Sequence, residues 1–129
     1  MQDSGLTGLA LRRAACEALG YSIRRDPRGT NLWLRTELNG NLVCGFTSLT
    51  DACSGLPAVD SDPAVSEPLF NARCAEVGFS WRLEATATRY VVHLKALPSR
   101  IGILAVSVQG STPSEARARA IVKMEQDDE

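Results

Sequence analysis

Basic side chains interleaved with aromatic ones are the residues of this chain best suited to chemistry. Arg82, Arg89, His93 and Lys95 sit at alternate positions of two neighbouring segments, FSWRLEA (79–85) and RYVVHLKA (89–96). Side chains alternate across a strand, so these residues share polar faces opposite Phe79, Trp81, Leu83 and Ala85 and opposite Tyr90, Val92, Leu94 and Ala96. If the two strands pair, their polar faces merge into one cationic strip, partly offset by Glu84. Trp33 and Arg35 extend the same kind of face on an earlier hairpin. A ring beside a guanidinium suits an anionic ligand that carries a base, because the ring stacks and the guanidinium pairs with phosphate. The competing reading is a solvated sheet face, or one paired with carboxylates of a covering helix.

Other chemistry finds little support. His93 is the only histidine, so a Ser-His-Asp or Cys-His set would have to use it. Its strand neighbours Val91 and Lys95 offer no partner, and it reads as an ordinary sheet residue. Cys16, Cys44, Cys53 and Cys74 are too dispersed for a zinc site and read as free thiols, with Cys16 and Cys74 acting as small hydrophobes on helices. Asp60 and Asp62 fit turn chemistry better than a cation site. Neither a G-x-x-x-x-G-K-[ST] nor a G-x-G-x-x-G phosphate loop occurs. No catalytic residue, metal ligand or cofactor is assigned, and the expectation is a protein that is not an enzyme.

The bulk composition sets the frame. The chain has 129 residues, 44% hydrophobic and 22% charged, enough for one domain with one core. Its net charge of -1 disfavours a general nucleic-acid coat but leaves room for a local basic pocket. No apolar run reaches the roughly 18 residues of a membrane span. The polar start MQDSGLTG does not resemble a secretory signal, so a reducing cytoplasm is expected.

The elements that must position the basic residues follow from periodicity and punctuation. Leu11, Ala14, Ala15, Ala18 and Leu19 form one helical stripe, stopped by Gly20. YSIRR is a short strand. NLWLRTEL alternates Leu32, Leu34 and Leu38 against Trp33, Arg35 and Glu37, and Asn39-Gly40 turns it back into NLVCGF. Ser48 to Asp62 reads as a loop. A second helix starts with Ser66 as cap and Pro68 in its first turn, or earlier at Asp62-Pro63 with a kink at Pro68. Phe70, Cys74 and Val77 form its stripe, and Gly78 ends it. IGILAVSV (101–108), apolar on both faces, suits a central strand covered on both sides. The order α-β-β-β-α-β-β-β-α gives an α+β domain spanning 1–129, with a mixed or antiparallel sheet packed by helices.

The last helix opens with Thr112-Pro113-Ser114-Glu115, a capping box with proline at the first helical position. At about 100° per residue, Ala116, Ala120, Ile121 and Met124 spread over one side and Arg119 and Lys123 over the other. Arg117 falls between Met124 and Ile121, within the apolar stripe. It must snorkel, pair, or face a ligand or subunit boundary.

This layout resembles the phage ABA-sandwich domain family. The matching pieces are CEALGY (16–21), Trp33, LPAVDSD (56–62), EVGFSWRLE (76–84) and TPSEARARA (112–120), in family order along nearly the whole chain. Two departures stand out: a longer loop-to-helix segment containing Pro68, and Arg117 where the pattern is apolar. Among phage proteins of this kind the chain is similar to the Thoeris anti-defence sponges, which sequester cyclic nucleotide immune signals. The resemblance implies a homo-oligomer, a dimer or a larger ring up to a hexamer, acting in the host cytoplasm. It would capture a small anionic nucleotide such as a cyclic ADP-ribose isomer, or a cyclic oligonucleotide, without cleaving it. Arg119 is the position that matches the family arginine. Phe79 or Trp81 is then the expected stacking ring, with Arg82, Arg89 and Arg100 as anion partners. The alternative is a phage accessory or structural protein that works through protein contacts.

Overall fold

The computed structural model describes residues 7–28, 31–96 and 105–127. Within them the order is α1 (Gly8–Leu19), β1 (Ser22–Arg25), β2 (Trp33–Thr36), β3 (Leu42–Phe46), α2 (Leu49–Ser54), α3 (Pro63–Val77), β4 (Phe79–Ala85), β5 (Tyr90–Ala96), β6 (Ala105–Gly110) and α4 (Pro113–Asp127). The fold is α+β, as the element pattern implies. Its strands form two antiparallel three-stranded sheets, ordered β1-β2-β3 and β4-β5-β6. Trp33 and Arg35 therefore belong to a different sheet from Arg82 and His93, and do not extend their face.

Local chemistry explains most of the boundaries. Gly20 ends α1 at φ 120, and Gly78 ends α3 in the left-handed region at φ 86, its N–H donating to Cys74 O. Asp62 caps α3, accepting from Ala64 N at 3.0 Å, with Pro63 at the first helical position. The earlier start is thus the one adopted, and Pro68 lies inside the helix. Ser66 is no cap: it is fully buried, with its Oγ 3.1 Å from Ser114 Oγ of α4. The stretch expected as a loop from 48 to 62 contains α2, capped by Ser48 and anchored by buried Ala52 and Cys53. The hairpin between β2 and β3 has a three-residue loop, Leu38 to Gly40, closed by Glu37 N–H to Asn41 O. Gly40 alone takes positive φ there, at 89, so this is not the two-residue turn expected at Asn39-Gly40.

Helix α4 lies at the centre of the packing, in contact with β6, β5, α1 and α3. Every residue from Ala116 to Val122 is buried. Alanines at 116, 118 and 120, all at 0% exposure, let neighbours approach on more than one side. Arg119, placed by periodicity on a polar side, is for that reason only 9% exposed. Closeness also explains Gly110 at the end of β6: a Cβ there would stand 2.4 Å from Ala116 N. Leu11, Cys16, Phe70, Leu94, Ile121 and Met124 fill the core around α4.

Strand β6 is not the doubly covered central strand expected from IGILAVSV. Residues 101–104 lie outside the described residues, and Ala105–Gly110 alternates between exposed and more buried positions at a sheet edge. The central strand is β5. One face of its sheet, carrying Phe79, Val92, Leu94 and Val108, joins the core beneath α4.

Candidate functional site

Among the described residues nothing packs over the other face of β4-β5-β6. Register places Ser80, Lys95 and Ala105 at one level, Arg82, His93 and Ser107 at the next, and Glu84, Val91 and Gln109 at the third. Ser80, Arg82, Glu84, Lys95, Ala105, Ser107 and Gln109 are all exposed. The strip expected from alternation forms in part, because the two strands do pair: Arg82, His93 and Lys95 share it, while Arg89 precedes β5 and lies in another depression. A shallow groove of about 390 Å³ crosses it, with Arg82, His93, Lys95, Ser80 and Ser107 among its lining.

His93 acquires partners that its own strand could not supply. Its Nδ1 lies 2.8 Å from Ser107 Oγ on β6, and its Nε2 lies 2.7 Å from Glu84 Oε1 on β4. The hydrogen bond from His93, with the nearby Arg82 charge, holds the Glu84 carboxyl below its ordinary range. Sequence reasoning missed this row because each member sits on a different strand; only the register joins them. Arg82 and Lys95, by contrast, form no ion pair or side-chain hydrogen bond among the described residues, although His93 lies opposite Arg82 and two places from Lys95.

The remaining expected site residues fall elsewhere. Phe79 is 3% exposed within the core, so its face is unavailable to a stacking ligand. Trp81 is 36% exposed but belongs to the helix side of the sheet, edge-on to Phe70 of α3 with centroids 5.2 Å apart. Arg100 lies outside the described residues. Arg89 and Arg119 meet in a second depression of about 400 Å³, which Gln109, Ser111 and Glu115 also line. Both arginines have partners there. The guanidinium of Arg89 donates to the Gln109 side chain, and Arg119 donates to Gln109 O at 2.8 Å and lies 3.4 Å from Glu115 Oε1. Glu115 is itself held by Ser111 N–H at 2.8 Å, so the capping box closes one residue earlier than expected.

Arg117 is buried between α3 and α4. It reaches Ser66 Oγ at 3.5 Å and Glu67 Oε2 at 4.0 Å, and its buried Nε has no hydrogen-bond partner. Burial pushes the Cys16 and Cys74 thiols up to about 12, which suits packing and not nucleophilic attack. Asp60 pairs with Arg12 at 2.7 Å while Asp62 caps α3, so both do structural tasks. No helix among the described residues is long and apolar enough to cross a membrane.

Comparison with known protein families, curated proteins and solved structures gives no match to this chain.

Proposed function

We propose that the protein captures a small anionic nucleotide on the open face of β4-β5-β6 and holds it without cleaving it. In biological terms this is a phage anti-defence sponge acting in the host cytoplasm as a homo-oligomer, the role implied by the sequence resemblance. One observation carries the reading: among the described residues, Arg82 and Lys95 stand on an uncovered sheet face with no carboxylate paired to either. Several other arginines are matched to carboxylates, as Arg12 with Asp60, Arg28 with Asp26 and Arg73 with Glu125. A guanidinium beside an ammonium on a groove is suited to phosphate oxygens.

The test is direct. Purified protein is incubated with cyclic ADP-ribose isomers and cyclic dinucleotides, separated from free ligand, and then heat-denatured. Intact ligand in the released fraction supports capture. Altered ligand would make the protein an enzyme, and undepleted free ligand would remove both ideas. A second reading, an accessory protein that binds other proteins, draws on Leu38 and Leu42, which are 49% and 52% exposed beside the β2-β3 loop.

A further inference from the structure

We infer that the open face reads the phosphate chain of its ligand and not the base, so that its ligand class is the phosphoanhydride: two or more phosphoryl groups in series. This rests on the capture reading above and narrows it. The first ground is what the face lacks. Its nine register positions hold Ser80, Arg82, Glu84, Val91, His93, Lys95, Ala105, Ser107 and Gln109, with no phenylalanine, tyrosine or tryptophan among them. The rings next to these positions in sequence, Phe79, Trp81 and Tyr90, belong to the helix side: Phe79 in the core, Trp81 against Phe70 and Tyr90 packed on the core. Trp81 reaches the groove lining but its ring packs edge-on to Phe70, so among the described residues a purine would meet only the Arg82 guanidinium and the engaged His93 ring as planar groups.

The second ground is charge density. Arg82 is directly opposite His93, so their Cβ atoms are about 5 Å apart, and Lys95 is diagonal to Arg82 at about 7–8 Å. Both ring nitrogens of His93 are engaged by Ser107 and Glu84, so the long side chains of Arg82 and Lys95 are the ones that can converge on one phosphoryl group or divide over two neighbours. Adjacent phosphoryl groups of an anhydride concentrate their charge on that scale. The phosphates of a cyclic dinucleotide carry one charge each and are held apart by sugars.

The third ground is polarity along the strip. Glu84 lies at the level beyond His93, on the side away from Lys95, and its carboxylate is engaged by His93 Nε2. The negative group thus borders the Arg82–Lys95 pair at one end, and the anion is directed to the Ser80–Lys95 end.

Calorimetric titration with tripolyphosphate, pyrophosphate, a cyclic dinucleotide and adenosine tests the inference on the full chain. Tripolyphosphate should bind most tightly and pyrophosphate next. Both should displace a captured diphosphate-linked nucleotide, while adenosine should not. The double variant Arg82→Gln/Lys95→Gln should bind tripolyphosphate at least tenfold more weakly, with an unchanged circular dichroism spectrum and melting temperature. Wild-type tripolyphosphate affinity in that variant, or displacement by adenosine, would overturn the assignment. Nucleotide capture without tripolyphosphate binding would sink this inference and leave capture standing. Tripolyphosphate binding without nucleotide capture would do the reverse.

Discussion

In β1-β2-β3, Arg35 is 8% exposed, and its guanidinium donates to Ala52 O at 2.9 Å and to Glu37 at 3.0 Å while lying 5.0 Å from the centroid of Phe46. Arg25 of the same sheet lies over Trp33 at 5.1 Å. In β4-β5-β6, Arg82 and Lys95 have neither an acceptor nor a ring among the described residues. Both sheets are antiparallel and three-stranded, and each carries basic residues: Arg24, Arg25 and Arg35 in the first, Arg82, His93 and Lys95 in the second. In the first sheet, α2 brings the Ala52 carbonyl to Arg35, and a register shift between Trp33 and Arg35 lets Leu34 and Arg35 be buried in succession. In the second, the helices cover only the apolar face. Arg35 is therefore structural in one sheet and Arg82 available in the other, and neighbouring elements make the difference.

The largest effect expected from breaking this comparison lies where each sheet meets its surroundings. Gly110→Ala drives a Cβ against the α4 backbone at 2.4 Å and should cost about 2–4 kcal/mol in urea unfolding. Gly40→Ala in the β2-β3 hairpin meets nothing within 4 Å and should cost about 1–2 kcal/mol, from its positive φ alone. Equal costs for the two would show that the β6–α4 approach is looser than described.

Next come the arginines themselves. Arg35→Ala should destabilise by about 1–3 kcal/mol, because it removes two hydrogen bonds and leaves the Ala52 carbonyl buried without its donor. Arg82→Ala and Lys95→Ala should each change stability by less than about 0.5 kcal/mol while weakening nucleotide capture. Thermal melts and equilibrium dialysis on the same three variants separate the two roles.

The two arginines of α4 sharpen the contrast further. Arg117 is buried with long contacts and an unpartnered Nε, so Arg117→Met should be neutral or stabilising by about 1 kcal/mol in urea unfolding. Arg119→Ala removes the donor to Gln109 O and should lower stability by about 1–2 kcal/mol. Capture should survive that change; its loss with the fold intact would move the site to the Arg89–Arg119 depression.

The smallest effect concerns pH. Because the folded pKa of Glu84 is depressed, its pairing with His93 contributes stability that is full above the ordinary value of 4.5 and is lost as pH falls through the lower folded value. Melting curves of the wild type and Glu84→Gln should differ above that value and converge in acid.

Periodicity revealed the elements whose neighbours are simple. Alternation located β4 and β5 and the face that Arg82, His93 and Lys95 share, and glycine at 20 and 78 marked two helix ends. It misjudged α4, because three alanines hide how closely that helix is surrounded; a helix with Arg117 and Arg119 does not announce burial on every side. It passed over α2, whose six residues are too few to show a period. At the site, the cations were legible one strand at a time. The Ser107–His93–Glu84 row was not, since three strands contribute to it, and the loss of Phe79 as a ligand ring depends on which face the helices cover.

The most direct test of the account is equilibrium dialysis of a cyclic ADP-ribose isomer against the wild-type protein and Arg82→Gln/Lys95→Gln, with the recovered ligand checked for integrity. The account predicts that the wild type retains the ligand and returns it intact, and that the double variant, equally well folded, retains at least tenfold less. Undiminished retention by the double variant, or recovery of a cleaved ligand from the wild type, would contradict it.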